Sequence, residues 1–183
     1  LHKTLRSSDP HGALYWLARM LKAGEDPRYV ARRMVRFASE DIGLAHPPAL
    51  AMALSALDAY ERLGSPEGEL ALAECCLYLA LAPKSNSTYR AYKDACALVD
   101  ESGALPVPLD LRNAPTGLMK EIGYGKEYTY DHDAEGAFEA KQGLPKALHR
   151  RRLYRPAAQG WEATRAEQLA QWDAARDALE PKE

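Results

Sequence analysis

Only six of the 183 residues are aliphatic and β-branched, 4 Val and 2 Ile, against 32 Ala and 25 Leu. Sheets draw on β-branched and aromatic side chains that pack on a pleated surface, whereas Ala and Leu stand at the top of the helix scale. Most β-sandwiches and doubly wound sheets are thereby excluded, and an all-α fold is predicted. The 46% apolar and 27% charged content is that of an ordinary globular chain, and the length suits one domain or two small ones.

Asp or Ser followed by Pro marks helix starts, because the first side chain caps free amides and proline's missing N–H is no loss at the first helical position. The pattern occurs at Asp9-Pro10, Asp26-Pro27 and Ser65-Pro66. After Asp9, Leu14, Leu17, Ala18 and Leu21 recur at helical spacing up to Gly24. After Asp26, Val30, Met34, Phe37 and Ala38 share one face while Arg28, Arg32 and Arg36 form a basic ridge on another. A helix from Pro47 or Pro48 to Leu63 carries Leu50, Leu54 and Leu57, flanked by Ala49, Ala53, Ala56 and Tyr60. Another, from Ser65 to about Leu81, has Leu70, Ala73, Leu77 and Ala80 on one face and Leu72, Cys76 and Leu79 on another. Two such apolar helices in sequence predict a buried hairpin or an oligomer seam. A fifth helix begins near Ser85 with an aromatic stripe through Tyr89 and Tyr92.

Pro106, Pro108 and Pro115 then force an extended path. A short helix is expected over 116–122 and a last one over 161–179. The division that follows is a helical oligomerisation core over 1–101, an irregular Pro/Gly/Tyr-rich arm with one short helix over 102–160, packed on the same domain, and a short C-terminal helix and tail over 161–183. The absence of an initiator Met leads us to expect a piece of a longer protein.

Net charge is −2 but uneven: +3 over 1–45, −4 over 46–82, +1 over 83–126 and −2 over 127–183. Alternating patches favour protein partners as readily as nucleic acid. Three cysteines, Cys75, Cys76 and Cys96, fit reduced thiols in a cytoplasm, and no apolar run reaches the length of a membrane span.

No catalytic, cofactor or metal residue is assigned. Gly123-Tyr124-Gly125-Lys126 lacks the spacing and the Ser/Thr of a phosphate loop and reads as a turn. Lys84-Ser85-Asn86-Ser87-Thr88 offers donors at a helix start, for capping first and an anion second. Asp131-His132-Asp133 has no partner pair at ligand spacing. Glu40 and Asp41 oppose the dipole at a helix end and are expected to meet an arginine. Cys75 and Cys76 diverge by about 100° on a helix and read as core residues. Two cation clusters could touch phosphates: Arg28, Arg32, Arg33 and Arg36, and Lys146, Arg150, Arg151, Arg152 and Arg155. Pairing with nearby acids is the competing use.

Seven segments occur in an order that resembles a known family: Ser8–Leu21 (SDPHGALYWLARML), Arg33–Leu44 (RMVRFASEDIGL), Leu63–Leu72 (LGSPEGELAL), Tyr78–Ser87 (YLALAPKSNS), Val107–Thr116 (VPLDLRNAPT), Gly123–Lys126 (GYGK) and Leu153–Pro156 (LYRP). Together they resemble the C-terminal region of the replication-associated recombination protein A family of bacterial AAA+ ATPases, also called MgsA and akin to the Werner-helicase-interacting ATPase. Cys75-Cys76 replace plainer aliphatics, and the Gln159–Glu183 tail matches loosely.

The resemblance implies a helical domain similar to a clamp-loader collar that assembles the protein into a homotetramer. It implies work in DNA replication, recombination and repair at stalled forks, with ATP and magnesium held in N-terminal domains absent here, so that this region is not itself an enzyme. It also implies single-stranded-DNA-binding protein and DNA as partners, with a cytoplasmic, nucleoid-associated location. Leu50, Leu54, Leu57, Leu72, Cys76 and Leu79 are expected to divide between core and oligomer interface. The alternative is a DNA-binding domain that uses the arginine clusters.

Overall fold

Two Asp-Pro steps begin helices as their chemistry dictates. In the computed structural model, which describes residues 1–125, 138, 140–149 and 151–179, the Asp9 carboxylate accepts from the Gly12 amide at 2.9 Å and opens α2 (Pro10–Lys22). The Asp26 carboxylate accepts from the Arg28 amide at 2.9 Å and opens α3 (Pro27–Phe37). Ser65-Pro66 behaves differently from expectation: α5 (Glu67–Leu81) starts one residue later and has no side-chain cap. Gly64 turns the chain at φ +70°, and the Ser65 hydroxyl lies 3.2 Å from the Tyr60 hydroxyl instead of over the helix end.

The remaining helices are α1 (His2–Arg6), α4 (Pro48–Leu63), α6 (Ser87–Ser102), α7 (Gly117–Glu121) and α8 (Gly160–Asp177), and no strand occurs among the described residues. The all-α class therefore stands. The short α1 was not expected, and α8, at 18 residues, is the longest helix described rather than a short one. None of these helices is long and apolar enough to cross a membrane.

The chain forms two units, one of residues 1–93 with 154–166, the other of 94–153 with 167–183. The division falls inside α6 and α8.

In the first unit α5 packs against α2 and α4, and α3 packs on α4. Leu5, Leu17, Val30, Met34, Phe37, Ile42, Leu72 and Leu79 are fully buried there with Cys75 and Cys76. The α4 hairpin partner approaches closely because Gly68 has no side chain: a Cβ there would lie 2.9 Å from the Tyr60 Cα. The two apolar faces of α4, which the sequence left unranked, divide accordingly. The core takes the small residues Ala49, Ala53 and Ala56 with Tyr60, and the leucine side is left outward.

The second unit is held by different contacts. Phe138 and Trp172 stack with centroids 5.2 Å apart, the Gln142 amide donates to the Arg176 carbonyl at 2.9 Å, and the Gly125 amide donates to the Leu109 carbonyl at 2.9 Å. Arg112 lies over the Tyr124 ring and donates to its hydroxyl at 3.0 Å.

Candidate functional site

The six apolar candidates separate by burial. Leu72, Cys76 and Leu79 are fully buried, Leu57 packs on the core from its edge, and Leu50 and Leu54 are 40% and 49% exposed on α4. On the neighbouring α5, Leu70 and Leu81 are 75% and 71% exposed, with the half-buried Leu77 between them on the same face. Each of the two packed helices thus presents outward leucines. Periodicity placed Leu70 and Leu77 on an apolar face but could not say which of α5's two apolar faces turned inward.

The basic ridge is largely spent within the chain. Arg28 pairs with Glu61 at 3.5 Å, Arg32 approaches Asp26 at 3.9 Å, and Arg36 pairs with Glu40 at 2.7 Å. Half-buried Arg33 lies 3.4 Å from the His2 ring nitrogen, and burial followed by the Arg33 charge pushes the His2 pKa down. Glu40 and Asp41 lie in a π-helical turn, Ala38–Ile42, that continues α3. Arg6 grips Asp41 with two hydrogen bonds of 2.6 and 3.1 Å, and the Arg36 hydrogen bond draws Glu40 below the usual carboxylate range. Both acids therefore meet arginines of this chain.

The second cluster is split by the fold. Arg152 pairs with Asp173 at 3.2 Å and Asp177 at 2.5 Å, and Arg151 with Glu101 at 3.6 Å, all within the second unit. Lys146 lines a groove of about 1040 Å³ in that unit with Leu105, Val107, Leu109 and Ile122. Arg150, Lys126 and the Asp131-His132-Asp133 run lie outside the described residues. Arg155 belongs to the first unit and is exposed.

There Arg155 borders a cleft of about 410 Å³ with Arg6, Asp41, Lys84, Asn86 and Arg90. Lys84 is directed inward: its ammonium donates to the carbonyls of Ala80 at 2.9 Å and Ala82 at 2.5 Å, and to the Ser8 hydroxyl at 3.2 Å. Burial pushes its pKa down. Ser85 and Ser87 also line the cleft, and there the α6 start carries an anion of the protein's own. Glu162, fully buried, accepts from the Ser87 hydroxyl and from the Tyr154 hydroxyl at 2.7 Å. The Ser85 hydroxyl in turn accepts from the Ser87 amide at 3.1 Å. The sequence pointed to donors at 84–88, but nothing in it linked them to Glu162, 75 residues away.

Residues 7–173 match the family model described as MgsA AAA+ ATPase C terminal. The match takes in the first part of α8, which the resemblance had covered loosely. Among similar proteins, Replication-associated recombination protein A of Coxiella burnetii is 54% identical over 170 residues, 92% of this chain and 39% of that protein. The Escherichia coli K12 protein of the same name is 48% identical over 182 residues, 99% of this chain and 40% of its own. ATPase WRNIP1 of Dictyostelium discoideum is 43% identical over 155 residues, 84% of this chain and 18% of that protein. The chain spans about two fifths of the length of the two bacterial relatives. With a family model running over nearly its whole length, the chain belongs to the family of MgsA-type AAA+ ATPase C-terminal domains.

Proposed function

We propose that this domain is the homo-oligomerisation module, and specifically the tetramerisation module, of a longer AAA+ ATPase that acts in DNA replication, recombination and repair at stalled forks. The observation that carries the reading is the outward exposure of leucines on α4 and α5, namely Leu50, Leu54, Leu70 and Leu81. Apolar area costs roughly 25 cal/mol per Å² to leave in water, so several leucines on two adjacent helices reward association. A symmetric pairing of this face with itself, repeated through a second contact, builds a closed dimer of dimers. Joining four copies raises the local concentration of every weak ATPase and DNA contact made by the rest of the protein. ATP and magnesium are assigned to that remainder, with DNA and single-stranded-DNA-binding protein as partners of the whole and the cytoplasm, at the nucleoid, as its place.

Light scattering on the 183-residue chain tests the reading. A concentration-independent mass four times 20.2 kDa is expected. Leu54→Lys with Leu70→Lys should reduce the mass while the far-ultraviolet circular dichroism stays helical. A wild-type monomer at every concentration overturns the proposal.

DNA binding through the two arginine clusters as first drawn is less well supported, because Arg28, Arg36, Arg151 and Arg152 each already hold a carboxylate. Such pairs are exposed and individually weak, yet each lowers the charge available to a phosphate.

A further inference from the structure

Within the first unit the cations differ in how they are employed. Arg6 is committed to Asp41 and Lys84 to backbone carbonyls. Arg90 and Arg155, on the same cleft, and Lys93, one turn beyond Arg90 on α6, form no ion pair with any carboxylate among the described residues. All three side chains are exposed. At 100° per residue Arg90 and Lys93 lie about 60° apart on α6, a continuous cationic strip leading out of the cleft. Tyr89 and Tyr92 occupy the adjoining strip and are 50% and 73% exposed. Neither tyrosine belongs to the core, nor is either part of the leucine surface.

We propose that Arg90, Arg155 and Lys93 hold successive phosphates of a single-stranded nucleic acid whose bases stack on Tyr89 and Tyr92. Guanidinium forks match phosphate oxygens in pairs, and a positively charged groove flanked by aromatic faces is the arrangement that binds single strands without reading their sequence. A free phosphate would leave the tyrosines unused, and a duplex would keep its bases stacked on each other and away from them. The start of α6 lines the cleft through Ser87 but offers the phosphates no contact, since its hydroxyl already donates to the Glu162 carboxylate. The inference is independent of the oligomerisation reading, and the molar mass of the variants below separates failure of one from failure of the other.

The test is fluorescence anisotropy of a labelled oligothymidine of about 20 nucleotides against the 183-residue chain, from roughly 50 to 200 mM salt. Arg90→Gln with Arg155→Gln should weaken binding about tenfold at the lowest salt and flatten the log–log salt slope by about 1.4, from about 0.7 per phosphate contact on a single strand. Tyr89→Ala with Tyr92→Ala should weaken binding at least fivefold, by about the same factor at every salt, because stacking releases no counterions. Arg28→Gln with Arg32→Gln, on the α3 ridge, should change neither. The proposal is overturned by a wild-type chain that does not bind, by an unaltered slope in the Arg90/Arg155 variant, or by an equal loss in the α3 variant, which would mean a diffuse field. Displacement by ATP at equal phosphate concentration would make the cleft a nucleotide site and overturn it too, as would duplex binding as tight as single-strand binding with the tyrosine variant unaffected.

Discussion

Glu162 at the start of α8 and Ser87 at the first position of α6 share a hydrogen bond in which the Ser87 hydroxyl donates to a fully buried carboxylate. Burial alone would raise the Glu162 pKa. The hydroxyls of Ser85, Ser87 and Tyr154 together outweigh that and hold the pKa below its ordinary 4.5. The group is therefore a buried anion at neutral pH, stabilised by these hydroxyl donors and by the Ala157 backbone.

A depressed carboxylate pKa contributes stability that is present above the unfolded value, near 4.5, and is lost as pH falls through the lower folded value. Resistance to urea should therefore fall below about pH 4.5 in the wild type. Glu162→Gln keeps the volume but removes the charge, and should cost roughly 1–3 kcal/mol at pH 7 while flattening the acid side of the profile. The same substitution should lower the pKa of Tyr154, which burial and then Glu162 push up to about 12, toward that of an ordinary phenol. Tyrosine-labelled carbon NMR resolves this one ring among the 10 tyrosines.

Thiol chemistry separates the three cysteines. Burial pushes Cys75 up to about 12 and Cys76 up to about 11, whereas Cys96 is exposed on α6. Only a thiolate attacks a disulfide reagent, so the native chain should release one equivalent of chromophore quickly, from Cys96. The other two should appear at the rate of unfolding. Cys96→Ser should abolish the fast phase and leave the slow one intact.

The helices themselves were readable because their signals are local: an Asp-Pro cap and four or five apolar positions at helical spacing fix α2 and α3 to within a residue or two. What was not readable depended on partners distant in the chain. On α4, both the leucine and the alanine faces satisfy the period, and the inward choice of alanine goes with a close helix approach, seen at Gly68 against Tyr60, that the sequence does not show. The cation cluster at 146–155 looks continuous in sequence, yet Asp173 and Asp177 claim Arg152 while Arg155 joins Arg90 on a cleft of the other unit. Glu162 gave no sign at all, since a lone acid in a helical pattern reads as solvated.

Gly160 opens α8 at φ +56°, in the left-handed region that other residues enter at a cost. A Cβ there would stand 2.0 Å from the Ala45 carbonyl oxygen, a backbone atom with little room to withdraw. Gly160→Ala should thus combine backbone strain with a clash and destabilise the chain by roughly 2–3 kcal/mol. Gly24→Ala, also at positive φ but with nothing within 4 Å of its Cβ, pays the strain alone and should cost less. Thermal unfolding of the two variants side by side measures the difference.

Leu70 and Leu72 are two residues apart on α5 and should respond in opposite ways. Leu72 is fully buried in the core, so Leu72→Ala removes packed methyl groups and leaves a cavity, at about 2–5 kcal/mol. That loss should be the same at any protein concentration, because it belongs to the fold of one chain. Leu70 is 75% exposed, and Leu70→Ala should leave the unfolding of a single chain within about 0.5 kcal/mol of wild type. If its side chain is buried between copies, the variant instead loses the part of its stability that rises with concentration. Urea titrations at low and high protein concentration separate the two effects: Leu72→Ala shifts both midpoints alike, and Leu70→Ala shifts the midpoint only at high concentration. A Leu70→Ala midpoint unchanged at both concentrations would remove this leucine from the assembly face.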